Sequence, residues 1–462
     1  MRSQMLLAAL AALMFFSNLG ATHLWDIDEA IFSQTAKEML ERGDAVVPYF
    51  NGELFSHKPP LMYWMMISAY KVLGTTEFAA RFWSAVFGVG SVLVTYRLGR
   101  LLFSSSVGFW SGLILASTLN FNVIARAATP DSFLVFFCTL AMFLFARSTA
   151  AGNSPGADES GWSGQTEFRP SWIGYALMYA AMGCGLLTKG PVGVVLPTAV
   201  VGLFLLIIRA EPCEPSSAAG WRGVLGNLLR WLAHVFSLRH FAATVWSMRP
   251  LTALVAVAAV AAPWYVWVGL RTDGRWLSEF FGVHNFGRFL NAMDNHRGPI
   301  FYYLLALVVG FFPWSVLAIP TLLHAKTEVA LRTARRSGFV FVGCWVAVWV
   351  GFFSLAGTKL PNYVVPAFPA LALATGCLAD HWLREPSTVS RVWLRWAWGT
   401  LALVGVGMAV ALPIVGRLYL RGDWLLGLVG LVPLAGALAG LILSERGKTR
   451  AAIGALSGMS VG

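Results

Sequence analysis

Apolar runs close to the ~20 residues that a helix needs to cross a bilayer recur along the whole chain. They fall at roughly 4–22, 80–98, 107–125, 132–148, 173–188, 190–208, 250–270, 299–323, 339–356, 361–381, 396–415 and 424–443. Lipid leaves no partner for an open backbone, so runs of this kind are helices. The pattern predicts an all-α polytopic membrane protein with about twelve transmembrane helices. The first run lacks a small-x-small cleavage site and is followed by further spans, so it reads as an uncleaved span rather than a signal peptide.

The connection after that span, 23–79, is long and has a pattern of its own. Phe32, Ala36, Met39 and Leu40 form one stripe, with Gln34, Lys37, Glu38 and Glu41 opposite. Asp28 stands where an N-cap belongs and Gly43 where a stop belongs. This describes an amphipathic helix on the membrane surface. A second interface helix is expected over Leu61–Leu73, rich in Tyr63, Trp64 and Tyr70, with Pro59 and Pro60 suited to its first turn.

Composition agrees with a membrane protein. The 462 residues are 57% hydrophobic and 12% charged, with mean hydropathy +0.66, against about a quarter charged in soluble domains. The net charge of +12 invites a nucleic-acid reading, but its distribution removes it. With both termini in the cytoplasm, the basic residues collect on that side: Arg97 and Arg100, Arg147 and Arg169, Arg209 to Arg249, Lys326 to Arg336, Arg384 to Arg395, and Arg446 to Arg450. That is the positive-inside bias. The chain reads as a single transmembrane catalytic domain, 1–462, without a C-terminal soluble domain. Its cytoplasmic connections are 149–172 and 210–248, and its second long outer loop is 271–298. Segment 151–168, "AGNSPGADESGWSGQTEF", has nothing to bury and is expected to be a disordered linker. The five cysteines are scattered, mostly in apolar runs, and suggest neither zinc nor a disulfide framework.

The outer face holds the candidate chemistry. Asp26, Asp28 and Glu29 open the first loop, and Lys58 stands just before its second helix. A lysine at a helix N-terminus is a ready phosphate site, and also an ordinary snorkelling side chain. Asp131, in "RAATPDSF", heads the fourth span, where it is either an N-cap or a functional carboxylate. The loop 271–298 gathers His284, Arg288, Asp294, His296 and Arg297, and "TKLPNYVVPAFPAL" brings Lys359 and Tyr363 to the tenth span. His57 and His284 are the candidate pair for a divalent metal, although their spacing is not a metal motif.

Taken together, "DEAIFSQTAKEMLERGDAVVPYFNGELFSHKPPLMYW" and "EFAARFWSAVFG" resemble the first outer loop of the GT-C membrane glycosyltransferases. The nearest resemblance is to the bacterial lipid A aminoarabinose transferases and the protein O-mannosyltransferases. It returns in order at "ATPDSFLVFF", "LTKGPVGVVLP", "HRGPIFYYL" and "KLPNYVVPAFPALA". The resemblance implies a GT-C-like fold and transfer of a sugar from a polyprenyl-phosphate donor, of the undecaprenyl type, on the outer face of the cytoplasmic membrane. The acceptor would be a glycolipid, an envelope polymer or a protein, with no cofactor required. It implies Asp28 and Asp131 as site acids, with Glu29 beside them, and Lys58 and Arg288 at the donor phosphate. Tyr363, Lys359 and His284 would line the cavity. Two departures bear on sugar and acceptor: Ser56–His57 stands where the family often has an aromatic–acid pair, and Ile31–Phe32 where it commonly has Arg–Tyr. The rival readings are a secondary transporter, which usually shows repeats and midplane charges absent here, and a non-catalytic lipid-binding or flipping protein.

Overall fold

The computed structural model describes residues 2–150, 162, 168–210, 221–291, 296–419 and 424–461. The first part of the chain consists of α1 (Arg2–Phe16), α2 (Ile27–Glu41), β1 (Tyr49–Phe50), β2 (Glu53–Leu54), α3 (Leu61–Leu73) and α4 (Glu77–Leu102). There follow α5 (Ser105–Ala116), α6 (Leu119–Ala125), α7 (Asp131–Ala150), α8 (Trp172–Lys189), α9 (Val192–Ile208), α10 (Trp221–Val235) and α11 (Leu238–Ser247). Next come α12 (Pro250–Arg271), α13 (Arg275–Ser278), a π-helical stretch over Glu279–Gly287 and α14 (Arg288–Leu290). The remainder is α15 (Tyr302–Gly310), α16 (Ala318–Ala330), α17 (Arg336–Leu355), α18 (Phe368–Arg384), α19 (Arg391–Tyr419), α20 (Leu431–Glu445) and α21 (Thr449–Val461).

The chain is a helical membrane protein, but the expected spans are not matched one for one. Among the described residues, seven helices are long and apolar enough to cross a bilayer, or nine when two bent pairs are counted. Two expected spans are short helices: α1 has 15 residues and α9 has 17, about 23 and 26 Å at 1.5 Å per residue. Two others are broken. α5 and α6 meet at 70°, and α15 meets the Trp314–Ala330 segment at 113°. The two breaks touch: the Leu119 amide donates to the Phe312 carbonyl at 2.9 Å, and the Trp314 indole donates to Ser117 Oγ at 3.0 Å.

The first loop is helical as expected, with a small hairpin inserted between its helices. Asn51 and Gly52 both adopt positive φ (52° and 81°), the requirement of a tight two-residue turn. Glu38 pins that turn by accepting from both amides, at 2.8 and 3.3 Å. The apolar stripe of α2 faces protein: Phe32, Ala36 and Met39 are buried against Phe55, Met62, Tyr63 and Met66. The N-cap is Asp26, whose carboxylate accepts from the Asp28 amide, so Asp28 sits one residue inside the helix. This corrects the capping role expected for Asp28 and frees its carboxylate from that task.

Glu29 is fully buried and holds several chain segments together. Its two oxygens take Arg81 Nε at 2.8 Å and Nη2 at 2.9 Å, and Oε1 also accepts the Ala128 amide at 2.7 Å. Arg81 spends its remaining donors on the carbonyls of Leu19, Thr22 and His23. One ion pair thus ties the end of α1, the start of α2, α4 and the loop before α7.

The linker expectation is corrected at one described residue. Trp162 is wholly buried, stacks on Phe204 with centroids 5.3 Å apart, and donates to the Ala146 carbonyl. The segment therefore does bury a side chain; its neighbours 151–161 and 163–167 lie outside the described residues.

Removing one partner of a satisfied buried ion pair typically costs about 3–5 kcal/mol. Arg81→Met is therefore expected to lower the thermal unfolding midpoint of the purified protein sharply, far more than Lys37→Met, whose pair with Glu41 is a surface contact.

Candidate functional site

Five charged side chains from five segments meet on one face. Asp28 comes from the first turn of α2, and Lys58 from the turn leading into α3. Asp131 is the first residue of α7, and Lys189 the last of α8. Arg288 follows the π-helical stretch. Lys189 Nζ pairs with the Asp131 carboxylate and lies 5.4 Å from the Tyr363 ring centroid. Lys58 is within electrostatic reach of Lys189, Arg288, Asp28 and Asp131 together.

Helix ends reinforce this charge pattern. Asp131 at an N-terminus and Lys189 at a C-terminus each sit where the helix dipole favours them. Lys58 does not: it precedes the positive end of α3, so that end and its cation both call for an anion. Gly190, at φ +86°, stops α8 directly behind Lys189, and a Cβ there would stand 2.6 Å from Phe280 of the π-helical stretch. Glycine alone allows both the turn and that close approach.

Burial pushes Lys58 down to about 7, with Lys189 and Arg288 acting in the same direction and the two aspartates opposing. Burial likewise raises Asp28, helped by Asp26 and Asp131 and opposed chiefly by Lys58. Beside Lys58, His57 is stacked on Phe55 at 4.3 Å, and its ring lies 4.0 Å from that of His284 at a tilt of 42°. Burial first, then His284, Lys58 and Arg288, push His57 down to about 3, so the ring is neutral at ordinary pH. Ser56 Oγ donates to Glu279 at 2.8 Å and the Trp276 indole donates to the Phe55 carbonyl at 3.0 Å. These contacts fasten the 275–291 arm, and hence Arg288, against the Lys58 turn. The arm's far side is held by the Gly357 amide, which donates to Phe289 at 2.7 Å, and by the Thr358 amide, which donates to Arg288.

Asp28, Asp131, Lys58 and Arg288 are therefore brought together, with Tyr363 beside Lys189. Glu29 is not among them. Both of its oxygens are occupied in the Arg81 pair, which corrects its expected place beside the reacting groups. Lys359 also points elsewhere: its ammonium donates to the Phe353 and Ser354 carbonyls at 2.9 and 2.7 Å, closing the C-terminal end of α17. His57 and His284 are adjacent, and among the described residues no group of three or more His, Cys, Asp or Glu is arranged to hold a metal ion. Asp294 lies outside the described residues. A separate groove of about 360 Å³ between α19 and α20, lined by Trp398, Ala402 and Leu441, is remote from these residues in the chain and shares none of them.

Sequence reasoning missed Lys189. Its signal was present, since "LLTKGPVG" is an outer-face loop in which a lysine ends an apolar helix. It missed Arg81 as well, a guanidinium near the start of the second apolar run.

Residues 1–216 match the family model for dolichyl-phosphate-mannose-protein mannosyltransferases. An undecaprenyl phosphate-α-4-amino-4-deoxy-L-arabinose arabinosyl transferase of Pectobacterium atrosepticum is 26% identical over 451 residues, covering 95% of this chain and 71% of that protein. An uncharacterised protein of Aquifex aeolicus is 28% identical over 409 residues, covering 88% and 69%. The crystal structure of ArnT from Cupriavidus metallidurans bound to undecaprenyl phosphate superposes with a TM-score of 0.74 at 24% identity, covering 99% of this chain and 76% of that one. The chain has the fold of this membrane glycosyltransferase. Its resemblance to the GT-C enzymes thus holds in sequence and in architecture.

Lys189→Met is expected to strand the buried Asp131 carboxylate, and Lys189→Met with Asp131→Asn to recover most of the lost stability. Thermal unfolding of the purified single and double variants checks this; equal losses in both would disprove the pairing.

Proposed function

We propose that the protein is a glycosyltransferase that takes a sugar from a polyprenyl-phosphate donor on the outer face of the cytoplasmic membrane and passes it to an acceptor. The carrying observation is the meeting of three cations with two carboxylates at one lip of the helical body. A phosphate ester held among Lys58, Arg288 and the end of α3 would place its negative charge where this positive charge gathers. Lys189, already paired with Asp131, would orient that aspartate toward sugar or acceptor hydroxyls. The relatives named for undecaprenyl-phosphate aminoarabinose transfer, and the ArnT fold, support the donor class. Glycolipid, envelope polymer and protein are the acceptor classes.

The bond changes are simple. An acceptor oxygen forms a bond to the anomeric carbon while the bond from that carbon to the phosphate oxygen breaks, and its electron pair leaves with the phosphate. Fixed cations aimed at this developing charge are commonly the largest catalytic contribution. Asp28, whose elevated affinity for protons comes from burial, takes the acceptor's proton, a contribution of about 10²–10⁴-fold. A single displacement of this kind inverts the anomeric centre. The acids stand at the membrane edge so that a donor arriving sideways from the lipid meets a polar acceptor there.

Asp28→Asn and Lys58→Ala are each expected to abolish transfer while expression and membrane insertion persist. Near-normal turnover by both variants would defeat the assignment. Comparing lipid and envelope fractions with and without the gene by mass spectrometry would identify the product.

The pH profile follows from Lys58. Below about 7 its ammonium is charged in the unliganded protein, and that charge is lost as pH rises through this value. Donor capture, read as kcat/KM, should therefore decline on the alkaline side. Lys58→Arg, which keeps its charge, should remove that decline even where its absolute rate is lower.

A further inference from the structure

On the face opposite the candidate site, α10 and α11 present an amphipathic pair whose apolar side is exposed among the described residues. Along α10, Leu225, Leu228 and Leu229 share one side and are exposed, while Asn227, Arg230 and His234 lie on the other. α11 repeats the pattern, with Leu238, Phe241, Val245 and Trp246 outward; Leu238 is 83% and Trp246 73% exposed. Its polar side is the side that meets protein. His240 contacts the Leu206 carbonyl at 3.0 Å, Thr244 is buried, and Ser247 accepts from Arg209 at 2.6 Å. A soluble surface helix does the reverse, burying its apolar stripe. Here the stripe needs an external apolar partner.

Charge says which one. From Trp221 to Arg249 the chain has four arginines, two histidines and no acid. Arg230, Arg239 and Arg249 are exposed, and Arg169 beside Phe168 is too. Arg209 reaches both Phe168 and Ser247, binding this basic rim to the end of α9. An apolar face edged by guanidinium groups, lying across the end of a spanning helix, matches the headgroup layer of a bilayer carrying negative lipids.

We propose that the α10–α11 pair is a docking surface for anionic phospholipids of the leaflet opposite the candidate site. The leucine and aromatic side chains enter the acyl boundary, and Arg230, Arg239 and Arg249 hold lipid phosphates. The experiment uses the full chain in nanodiscs of phosphatidylcholine with and without phosphatidylglycerol. Mass spectrometry of the lipids retained by the purified protein should show enrichment of phosphatidylglycerol. Replacing Arg230, Arg239 and Arg249 by Gln should lower that enrichment by about fivefold per arginine, whereas Lys at the same positions should keep it. A fluorophore at Leu238→Cys, in a background lacking Cys184 and Cys213, should be quenched by lipids spin-labelled in the upper acyl chain. Indifference to lipid charge in the wild type, or quenching by aqueous iodide alone, would overturn the proposal. So would a dimer whose partner copy covers Leu238.

Discussion

The candidate site depends on the buried pairing of Glu29 with Arg81. Four chain segments converge on it. Asp28 is the residue before Glu29, and Ala128, whose amide Glu29 accepts, stands three residues before Asp131. The pair thus sets the separation of the two site carboxylates from behind, at a depth that water does not reach. Its desolvation is costly, but each oxygen of the carboxylate is used, and most of the guanidinium donors are met by carbonyls. Such a network stabilises little beyond an apolar core. It fixes one geometry, which an apolar contact would not.

Around this frame the site is electrostatically lopsided. Two aspartates face three cations, one cation is already paired, and the positive end of α3 adds to the excess. Burial first, then nearby positive charge, keeps the His57 ring neutral, so it contributes shape rather than charge. The arm bearing Arg288 is held by the His57–His284 ring contact, a serine–carboxylate bond and backbone contacts with the 357–358 turn.

Legibility in the sequence followed physical range. The helical class and the two first-loop helices came from local periodicity, and Asp28, Lys58 and Asp131 stood out as candidates by their placement at the ends of apolar runs. The resemblance to GT-C enzymes was carried by the acid and Lys-Pro-Pro elements together. What failed was long-range. Glu29 and Asp28 are neighbours in an acidic triplet, and only the fold reveals that Arg81, 52 residues away, claims Glu29. Lys359 looked like a site lysine because its loop lies on the right face, yet its ammonium finds helix-end carbonyls nearby. Lys189 was overlooked because a lysine ending an apolar helix reads as an interface anchor until its partner is seen. The span count differs for another reason: hydropathy measures apolar length, and the expected spans at α1 and α9 form helices of only 15 and 17 residues.

The two bends also explain each other. A break in a membrane helix leaves amide and carbonyl groups that hydrocarbon cannot solvate. Here the break after α5 supplies Ser117 and the Leu119 amide, and the break after α15 supplies the Phe312 carbonyl and the Trp314 indole. Each kink is the other's solvent. Straightening either one alone would orphan polar groups on its neighbour, so across homologues these distant positions should drift as a unit, and a chain that loses one irregularity should have lost both.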